Sequence, residues 1–143
     1  MRIDIRKHYT NRILFSHDQE NNDIKTTLEL AIKMDVELAK ADLSDAYLVG
    51  ANLMNGNLSG AYFTRAKLVD ANLAGANLVG AVMVKADLSD AYLVNANLCG
   101  IRCDGANFYR ANLSDAYTAN VDFSKANLDN AKISVMDGDA QYA

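Results

Sequence analysis

Three residues with the side chains of a serine hydrolase stand next to one another near the amino terminus, as Ser16, His17 and Asp18. A catalytic triad is assembled in space, so that each side chain can reach the next one. Adjacent residues of a single segment cannot form that arrangement. We therefore interpret the tripeptide as a turn with a surface histidine, and we predict no catalytic residue in this chain.

The two cysteines, Cys99 and Cys103, are four residues apart. A metal site of this kind needs further Cys or His ligands nearby, but the two histidines, His8 and His17, lie far away in the sequence. Two cysteines also give no disulfide framework, which is typical of a reducing compartment. We therefore predict structural cysteines and no metal or cofactor site.

The length of 143 residues fits one domain, and the net charge is −4. Nucleic-acid-binding domains are normally basic, so we expect no direct contact with nucleic acid. No apolar run is long enough to span a bilayer, and the amino terminus lacks the apolar core of a secretory signal. We therefore expect a cytoplasmic protein that does not contact a membrane.

The most specific feature of the chain is a five-residue repeat. Residues 36–135 divide into twenty units of five without insertion or deletion, such as Ala-Asp-Leu-Ser-Asp at 41–45 and Ala-Asn-Leu-Val-Gly at 76–80. The first position is small and nearly always Ala, the second is polar or Tyr, and the third is Leu or, in most exceptions, another apolar residue. This regularity predicts that every unit adopts the same backbone.

A period of five fits neither an α-helix nor a plain strand. At about 3.6 residues per turn the leucines would spiral around a helix, and in a strand an odd period would place them on alternating faces. Three extended residues followed by a corner resolve the conflict. Positions one and three then point inward and position two points outward, so that every fifth residue from Leu38 to Ile133 lies inside a closed coil.

The fifth position supports a corner, because Gly, Asn or Asp fills most of its places, among them Asp45, Gly50 and Asn55. These residues tolerate the positive φ that a type II turn requires. Lys and Arg at the other fifth positions suggest either a second turn type or a tolerated strain. If each corner turns the chain by about a right angle, four units close a coil of twenty residues.

The inward third positions form the predicted core. Non-leucine centres such as Phe63 and Met83 recur at a spacing of twenty residues and would stack on one side of the coil. The predicted core consists of Leu48, Leu53, Phe63, Leu68, Leu73, Leu78, Met83, Leu88, Leu93, Leu98, Cys103, Phe108, Leu113, Phe123 and Leu128.

The A(D/N)LXX units resemble the pentapeptide-repeat family over residues 36–135. That resemblance implies a right-handed β-helix with a quadrilateral cross-section. The expected fold is therefore an all-β solenoid, a right-handed quadrilateral β-helix of about five coils, with a small hairpin-plus-helix cap at its amino-terminal end.

Residues 1–35 are predicted to form this cap. Met1–Arg6 and Arg12–Ser16 have the apolar pattern of a small hairpin, and residues 23–34 have the pattern of a helix with Asn22 as its N-cap. The apolar face of the helix would lie over the first coil as a lid and consists of Ile24, Leu28, Ala31 and Ile32.

The carboxyl-terminal tail, residues 136–143, is too short to cap a coil well. An uncovered end of a β-helix invites further strand pairing. Two alternatives follow: the last coil stacks on another molecule, or a further domain lies downstream. A homodimer formed through the carboxyl-terminal coil is one hypothesis of the first kind.

The outward second positions show no continuous binding pattern. Because the tyrosines belong to different sides of the coil, no aromatic platform for bases is predicted. Val82, between Tyr62 and Arg102 in its column, could seed a contact surface, but a scattered apolar surface residue is the simpler interpretation. Asparagine columns are expected to join the coils through amide ladders. The outward tyrosines are Tyr47, Tyr62, Tyr92 and Tyr117.

The pentapeptide-repeat resemblance implies two kinds of role. Some members, the Qnr and MfpA proteins, bind DNA gyrase and topoisomerase IV and resemble duplex DNA in size and charge, whereas many others are regarded as interaction modules. Residues 36–135 contain ten acidic and eight basic side chains, which leaves a charge of only −2, while duplex DNA carries about one charge per 1.7 Å. We therefore predict a non-catalytic structural or protein-interaction module with an unknown protein partner, and a gyrase-binding DNA mimic is the alternative.

Overall fold

The computed structural model describes residues 1–134. The chain begins with two antiparallel strands, β1 (Arg2–Arg6) and β2 (Ile13–Asp18), and continues with the helix α1 (Ile24–Lys33). Within the described range no helix is long and apolar enough to cross a bilayer. The tail predicted over residues 136–143 lies outside the described residues, as does the last residue of the final repeat unit.

The repeat region is held together by main-chain pairing between residues twenty positions apart. Single parallel bridges of this spacing begin with Asp42 and Tyr62, and β3 (Asn112–Leu113) pairs in parallel with β4 (Lys132–Ile133) in the same register. The Leu43 N–H, for example, donates to the Tyr62 carbonyl at 2.8 Å. Four five-residue units therefore make one coil, as the sequence predicts.

The interior contains the Ala of position one and the apolar residue of position three. All of the predicted core residues except Leu128 are buried. Leu128 is only partly buried and Ile133 is 37% exposed, so the prediction of a buried residue at every fifth position is wrong at this end. Both residues belong to the last described coil, which has a neighbouring coil on one side only within residues 1–134.

Every corner from Lys40 to Asn120 has its fifth residue in the left-handed region, which glycine adopts without strain. The cationic corners adopt the same conformation, with φ of 61° at Lys40, 58° at Arg65 and 58° at Lys85. A second turn type is therefore wrong at these corners, and the strain of about 1–2 kcal/mol for each side chain is tolerated. Lys125 is the one described fifth-position cation outside the left-handed region.

The second position has a structural role that the repeat pattern alone does not reveal. Its side chain accepts a hydrogen bond from the main-chain N–H two residues later, as Asn72 Oδ1 does from Ala74 and Asn97 Oδ1 does from Cys99, both at 3.1 Å. This local bond is an Asx turn. The same bond is formed by Asp42, Asn52, Asn77, Asp87, Asn107, Asn112, Asp122 and Asn127.

Replacing Asn72 by Ala is expected to lower the free energy of unfolding by about 1 kcal/mol, because the Ala74 N–H loses its acceptor. Asn72→Asp keeps an oxygen in the same place and is the matched control. Urea denaturation followed by circular dichroism measures both variants. An Asn72→Ala variant as stable as the native chain would show that the Asx turn contributes nothing.

The first strands form the hairpin expected from their alternation, in which Ile5 pairs with Phe15. The register shifts between Ile5 and Arg6, which marks a β-bulge. Beyond the bulge the Asp42 N–H donates to the Arg6 carbonyl at 2.7 Å, and Lys7 forms an antiparallel bridge with the first coil. The hairpin is thus joined to the solenoid through main-chain hydrogen bonds.

Helix α1 has a different N-cap from the one predicted. The Asp23 carboxylate accepts a hydrogen bond from the Thr26 N–H at 2.7 Å, so Asp23 is the cap. Asn22 is buried instead, and its Nδ2 donates to the His17 carbonyl at 2.7 Å. The prediction of Asn22 is wrong because Asn and Asp suit an N-cap equally well, and the contact of Asn22 with the hairpin decides between them.

The apolar face of α1 lies against the solenoid. Leu28 and Ala31 are fully buried, and Ile24 and Ile32 are partly buried against the same core. Ile32 also explains a departure from Ala at position one of a repeat unit, because a Cβ on Gly56 would lie only 2.9 Å from Ile32 Cδ1. The helix occupies the space that an alanine would need.

Polar side chains of α1 bond to main-chain groups of the first coil. Glu29 Oε1 accepts from the Asn52 N–H at 2.8 Å, and Lys25 Nζ donates to the Val49 carbonyl at 3.1 Å. In later coils the N–H at the position of Asn52 and the carbonyl at the position of Val49 bond to main-chain groups of the preceding coil. Through these contacts the helix covers main-chain groups that would otherwise be open to strand pairing.

Candidate interaction surface

The three hydrolase-type residues of the sequence do not come together. Ser16 Oγ donates to Asp4 Oδ1 at 2.6 Å, whereas His17 Nδ1 lies 3.3 Å from Asn22 Oδ1. Asp18 pairs with the amino-terminal ammonium at 3.3 Å. Successive side chains of a strand point to opposite faces, and β2 therefore places His17 on the face opposite to Ser16 and Asp18.

The cysteines lie in a structural setting. Cys103 is buried, and burial, followed by the charges of Asp104 and Asp122, raises the pKa of its thiol to about 11. A thiol with so high a pKa is protonated at neutral pH and is a poor nucleophile. Cys99 is half-buried. Within residues 1–134, no group of three or more His, Cys, Asp or Glu side chains could hold a metal ion.

One side of the solenoid differs from the others in its outward side chains. We name it the Tyr62 face after its second positions, which are Asp42, Tyr62, Val82, Arg102 and Asp122. Parallel bridges join Tyr62 to Val82 and Val82 to Arg102, and paired strands lie about 4.8 Å apart. An aromatic, an aliphatic and a cationic side chain are therefore neighbours in three successive coils.

Two residues of the hairpin turn extend the Tyr62 face. The His8 ring stacks on Tyr62, with centroids 3.6 Å apart and 21° between the planes, and Tyr9 meets Tyr62 edge-on at 5.7 Å and 87°. His8 Nδ1 also lies 2.9 Å from Asp42 Oδ2. The turn therefore adds an aromatic cluster to the amino-terminal end of this face.

Contacts inside the cluster shift two pKa values. The side-chain hydrogen bond with Tyr9, followed by burial, raises the pKa of Tyr62. Burial is the largest influence on Asp42 and acts to raise its pKa, but hydrogen bonds from His8 and Ser44 together outweigh it and lower the pKa. The bonds with Tyr9 and His8 that contribute to these shifts belong to the contacts between the turn and the first coil.

Four of the eight cations of the coils pair with a carboxylate on a neighbouring coil. Such exposed pairs each contribute about 0–1 kcal/mol. Lys85, in the same unit as Val82, and Arg102, which pairs with Val82 from the next coil, form no ion pair with any of residues 1–134. Positive charge is therefore available at the middle of the Tyr62 face. The ion pairs between coils are Arg65–Asp45 at 2.6 Å, Lys67–Asp87 at 3.8 Å, Arg110–Asp90 at 3.0 Å and Lys125–Asp104 at 3.3 Å.

The column of Asn57, Asn77 and Asn97 begins with Glu37, whose Oε2 accepts from Asn57 Nδ2 at 3.1 Å. Asn77 Nδ2 donates to Asn57 Oδ1 at 3.3 Å, which is an amide ladder of the predicted kind. The same asparagine accepts from the Val79 N–H at 3.2 Å. These side chains are occupied with holding the coils together.

His8 and Tyr9 are the surface residues that the repeat pattern does not identify. They precede the repeats, and a period of five says nothing about where a hairpin turn will pack. A signal for the face itself is present in the sequence at the spacing of twenty residues. Tyr62, Val82 and Arg102 replace Asn or Asp in three consecutive coils of one column.

Comparison with known proteins agrees with this architecture. The chain matches the family described as pentapeptide repeats in eight copies, over residues 34–68, 66–102 and 106–134. A comparison with curated proteins gives no match.

Several solved structures are similar to the chain. A pentapeptide repeat protein from the cyanobacterium Cyanothece 51142 is 32% identical with a TM-score of 0.55, and the match covers 65% of this chain and 60% of that one. A pentapeptide repeat protein of the Arabidopsis thaliana thylakoid lumen is 28% identical with a TM-score of 0.63, over 71% of this chain and 72% of that one. The chain thus spans less than two thirds of the Cyanothece protein.

The family match and the structure agree on the repeat unit. The matched ranges cover far more than half of the chain, and the main-chain bridges recur every four units of five residues. On both grounds, this chain belongs to the pentapeptide-repeat family.

Proposed function

We propose that the chain is a non-catalytic structural and protein-interaction module. The observation that carries the proposal is the division of roles within each repeat unit. Positions one and three fill the interior, and an Asn or Asp at position two closes the turn. A second-position side chain that neither fills the interior nor closes the turn is available for contact with a partner. Tyr62, Val82 and Arg102 are such side chains in adjacent coils.

The rigidity of the frame supports this role. Hydrogen bonds of 2.7 to 3.1 Å connect the coils at regular intervals, and no buried side-chain nitrogen or oxygen of the described residues lacks a partner. Outward side chains on such a frame keep a fixed spacing. A partner that matches the spacing loses little conformational entropy of this chain on binding.

The alternative is a DNA mimic that binds DNA gyrase or topoisomerase IV, as the Qnr and MfpA proteins do. A mimic needs rows of uncompensated carboxylates. Asp70 and Asp90 occupy one corner column, but Arg110 follows them and pairs with Asp90 at 3.0 Å. Asp45 is likewise paired with Arg65 at 2.6 Å. This neutralisation favours an interaction module with a different partner.

A supercoiling assay with purified DNA gyrase separates the two roles. We expect the protein in molar excess to leave supercoiling unchanged, because its carboxylates are compensated. The double variant Arg65→Ala/Arg110→Ala, which exposes two of these carboxylates, serves as the comparison. Inhibition by the native chain that grows stronger in the variant would establish the mimic instead.

The finer architecture is also part of the proposal. We place a right-handed coil of about five turns over residues 36–135, and residues 1–35 act as its cap. The burial of Leu28 and Ala31 on the face of the helix that packs against the solenoid supports the cap. Location in the cytoplasm is supported by the free cysteines Cys99 and Cys103, which suit a reducing compartment.

A homodimer through the carboxyl-terminal coil completes the proposal. Its support is the exposure of Ile133 and the partial burial of Leu128 at the last described coil. Two copies that stack there would cover both side chains. Sedimentation velocity over a range of concentrations tests the dimer, and a monomer at every concentration would contradict it.

A further inference from the structure

We propose that the Tyr62 face is a docking surface for a short acidic segment of a protein partner that carries an apolar side chain among its carboxylates. This inference rests on the proposed function as an interaction module and specifies where on the chain the partner binds. Three independent observations carry it: a missing stabilising bond, an exposed strained aromatic, and unpaired cations.

The first observation is the loss of the Asx turn in three successive coils. Second-position Asn and Asp side chains accept a bond from the N–H two residues later in ten units. Tyr62, Val82 and Arg102 cannot form that bond. Other second positions also lack Asn or Asp, but no other column lacks them in three successive coils; these positions are Glu37, Tyr47, Lys67, Tyr92, Tyr117 and Lys132. Tyr62 packs against His8 and Tyr9 of the hairpin turn. Stability alone would favour Asn in place of Val82 and Arg102, so these two residues serve another purpose.

The second observation is the conformation of Tyr9. Its φ is 64° and the residue is 86% exposed. A bulky residue in the left-handed region is strained, and strain of this kind clusters at functional sites. The ring is nevertheless held against His8 and Tyr62. Tyr9, Tyr62 and Val82 therefore offer a continuous apolar strip to an incoming side chain.

The third observation concerns charge. Lys85 and Arg102 form no ion pair with the described residues, whereas Arg65 and Lys125, in the coils before and after, do. A Cβ at Gly105 would lie 3.3 Å from Lys85 Cγ, so the glycine leaves room for the lysine stem to lie along the surface. One cation thus follows Val82 at the corner of its own unit and the other lies beside Val82 in the next coil, where both are placed to bind carboxylates.

The ends of the column restrict the partner. Asp42 begins the Tyr62 face and Asp122 ends it, and both would repel a long polyanion that follows the solenoid axis. The cationic centre accommodates a few carboxylates only. This pattern favours a short acidic peptide segment with an apolar anchor over a nucleic-acid strand.

The decisive variant is Val82→Asn/Arg102→Asn. Both asparagines can accept from the N–H two residues later, as Asn77 does from Val79 at 3.2 Å, so the variant should melt at a higher temperature than the native chain. The double variant removes both Val82, the apolar centre of the Tyr62 face, and the cation Arg102. Tyr92→Asn makes the same type of exchange on another side of the solenoid and is the matched control.

Fluorescence polarisation with a labelled peptide that alternates Asp or Glu with Leu and Phe measures the binding. We expect saturable, salt-sensitive binding to the native chain and to Tyr92→Asn, and binding weaker by about tenfold or more in Val82→Asn/Arg102→Asn. A peptide with Lys in place of the acids should not bind. A labelled single-stranded DNA should bind more weakly than the acidic peptide.

Equal binding to all variants, no saturable binding, or tighter binding of the DNA would overturn the assignment. The proposed function has a separate readout. If a bound partner is found whose affinity is unaffected by Val82→Asn/Arg102→Asn, the interaction module stands and the Tyr62 face is not its docking surface.

Discussion

Leu73→Asp is expected to abolish folding. Leu73 is fully buried in the middle of the solenoid, in an inner column between Leu53 and Leu93, which are equally buried. Burial of a leucine contributes about 1.5–3 kcal/mol, and an unpaired charge in an apolar interior costs several kcal/mol more. Together these losses approach the free energy of unfolding of an ordinary domain, about 5–15 kcal/mol.

The adjacent position provides the control for this prediction. Asn72→Asp introduces the same carboxylate one residue earlier, but on the outward side, where it can still accept from the Ala74 N–H. We expect far-UV circular dichroism and size exclusion to show a native-like Asn72→Asp variant and an unfolded or aggregated Leu73→Asp variant. A soluble Leu73→Asp protein with a cooperative thermal transition would contradict the inward position of the third residue.

The coil register could be predicted from the sequence because one constraint repeats. A period of five cannot keep Leu68, Leu73 and Leu78 on one face of a helix or strand, and only a corner after each unit resolves the conflict. The conformation of corners such as Lys85 could not be predicted in the same way. A lysine is compatible with several turns, and its φ of 58° is imposed by the coils on both sides rather than by its own preference.

The role of the second position was only half predictable. An asparagine amide has both donors and acceptors, so Asn77 could bond along its column or within its own unit. The structure shows both bonds: Nδ2 donates to Asn57, and Oδ1 accepts from the Val79 N–H. The bond between asparagines follows from the stacking of the coils. The Asx turn depends instead on the angle of the corner, which no residue pattern specifies.

The candidate surface was the least predictable part. Val82 looks like a scattered apolar residue until the contacts of Tyr62 are known. The stacking of His8 on Tyr62 at 3.6 Å depends on how the hairpin joins the first coil. That junction is fixed by single hydrogen bonds, such as the one from the Asp42 N–H to the Arg6 carbonyl, and not by any periodic feature.

Leu28→Ala is expected to lower the free energy of unfolding of the whole chain by about 2–5 kcal/mol. Leu28 is fully buried, and it belongs to the same core cluster as Leu38 and Leu43 of the first coil. The truncation leaves a cavity between the helix and the coil that neither element can fill. Lys33→Ala, at an exposed position in the last turn of the helix, is the control and should have little effect.

The helix and the coils should unfold together in this experiment. In a solenoid each coil is stabilised by its neighbours, and α1 takes the place of a neighbour for the first coil. Loss of the helix would also deprive the Asn52 N–H of its acceptor on Glu29 and expose the first coil's edge to other chains. We therefore expect urea transitions followed by circular dichroism and by tyrosine fluorescence to coincide in Leu28→Ala. A separate early transition of the amino-terminal segment, with the coils unchanged, would mean that the helix only rests on the solenoid and does not stabilise it.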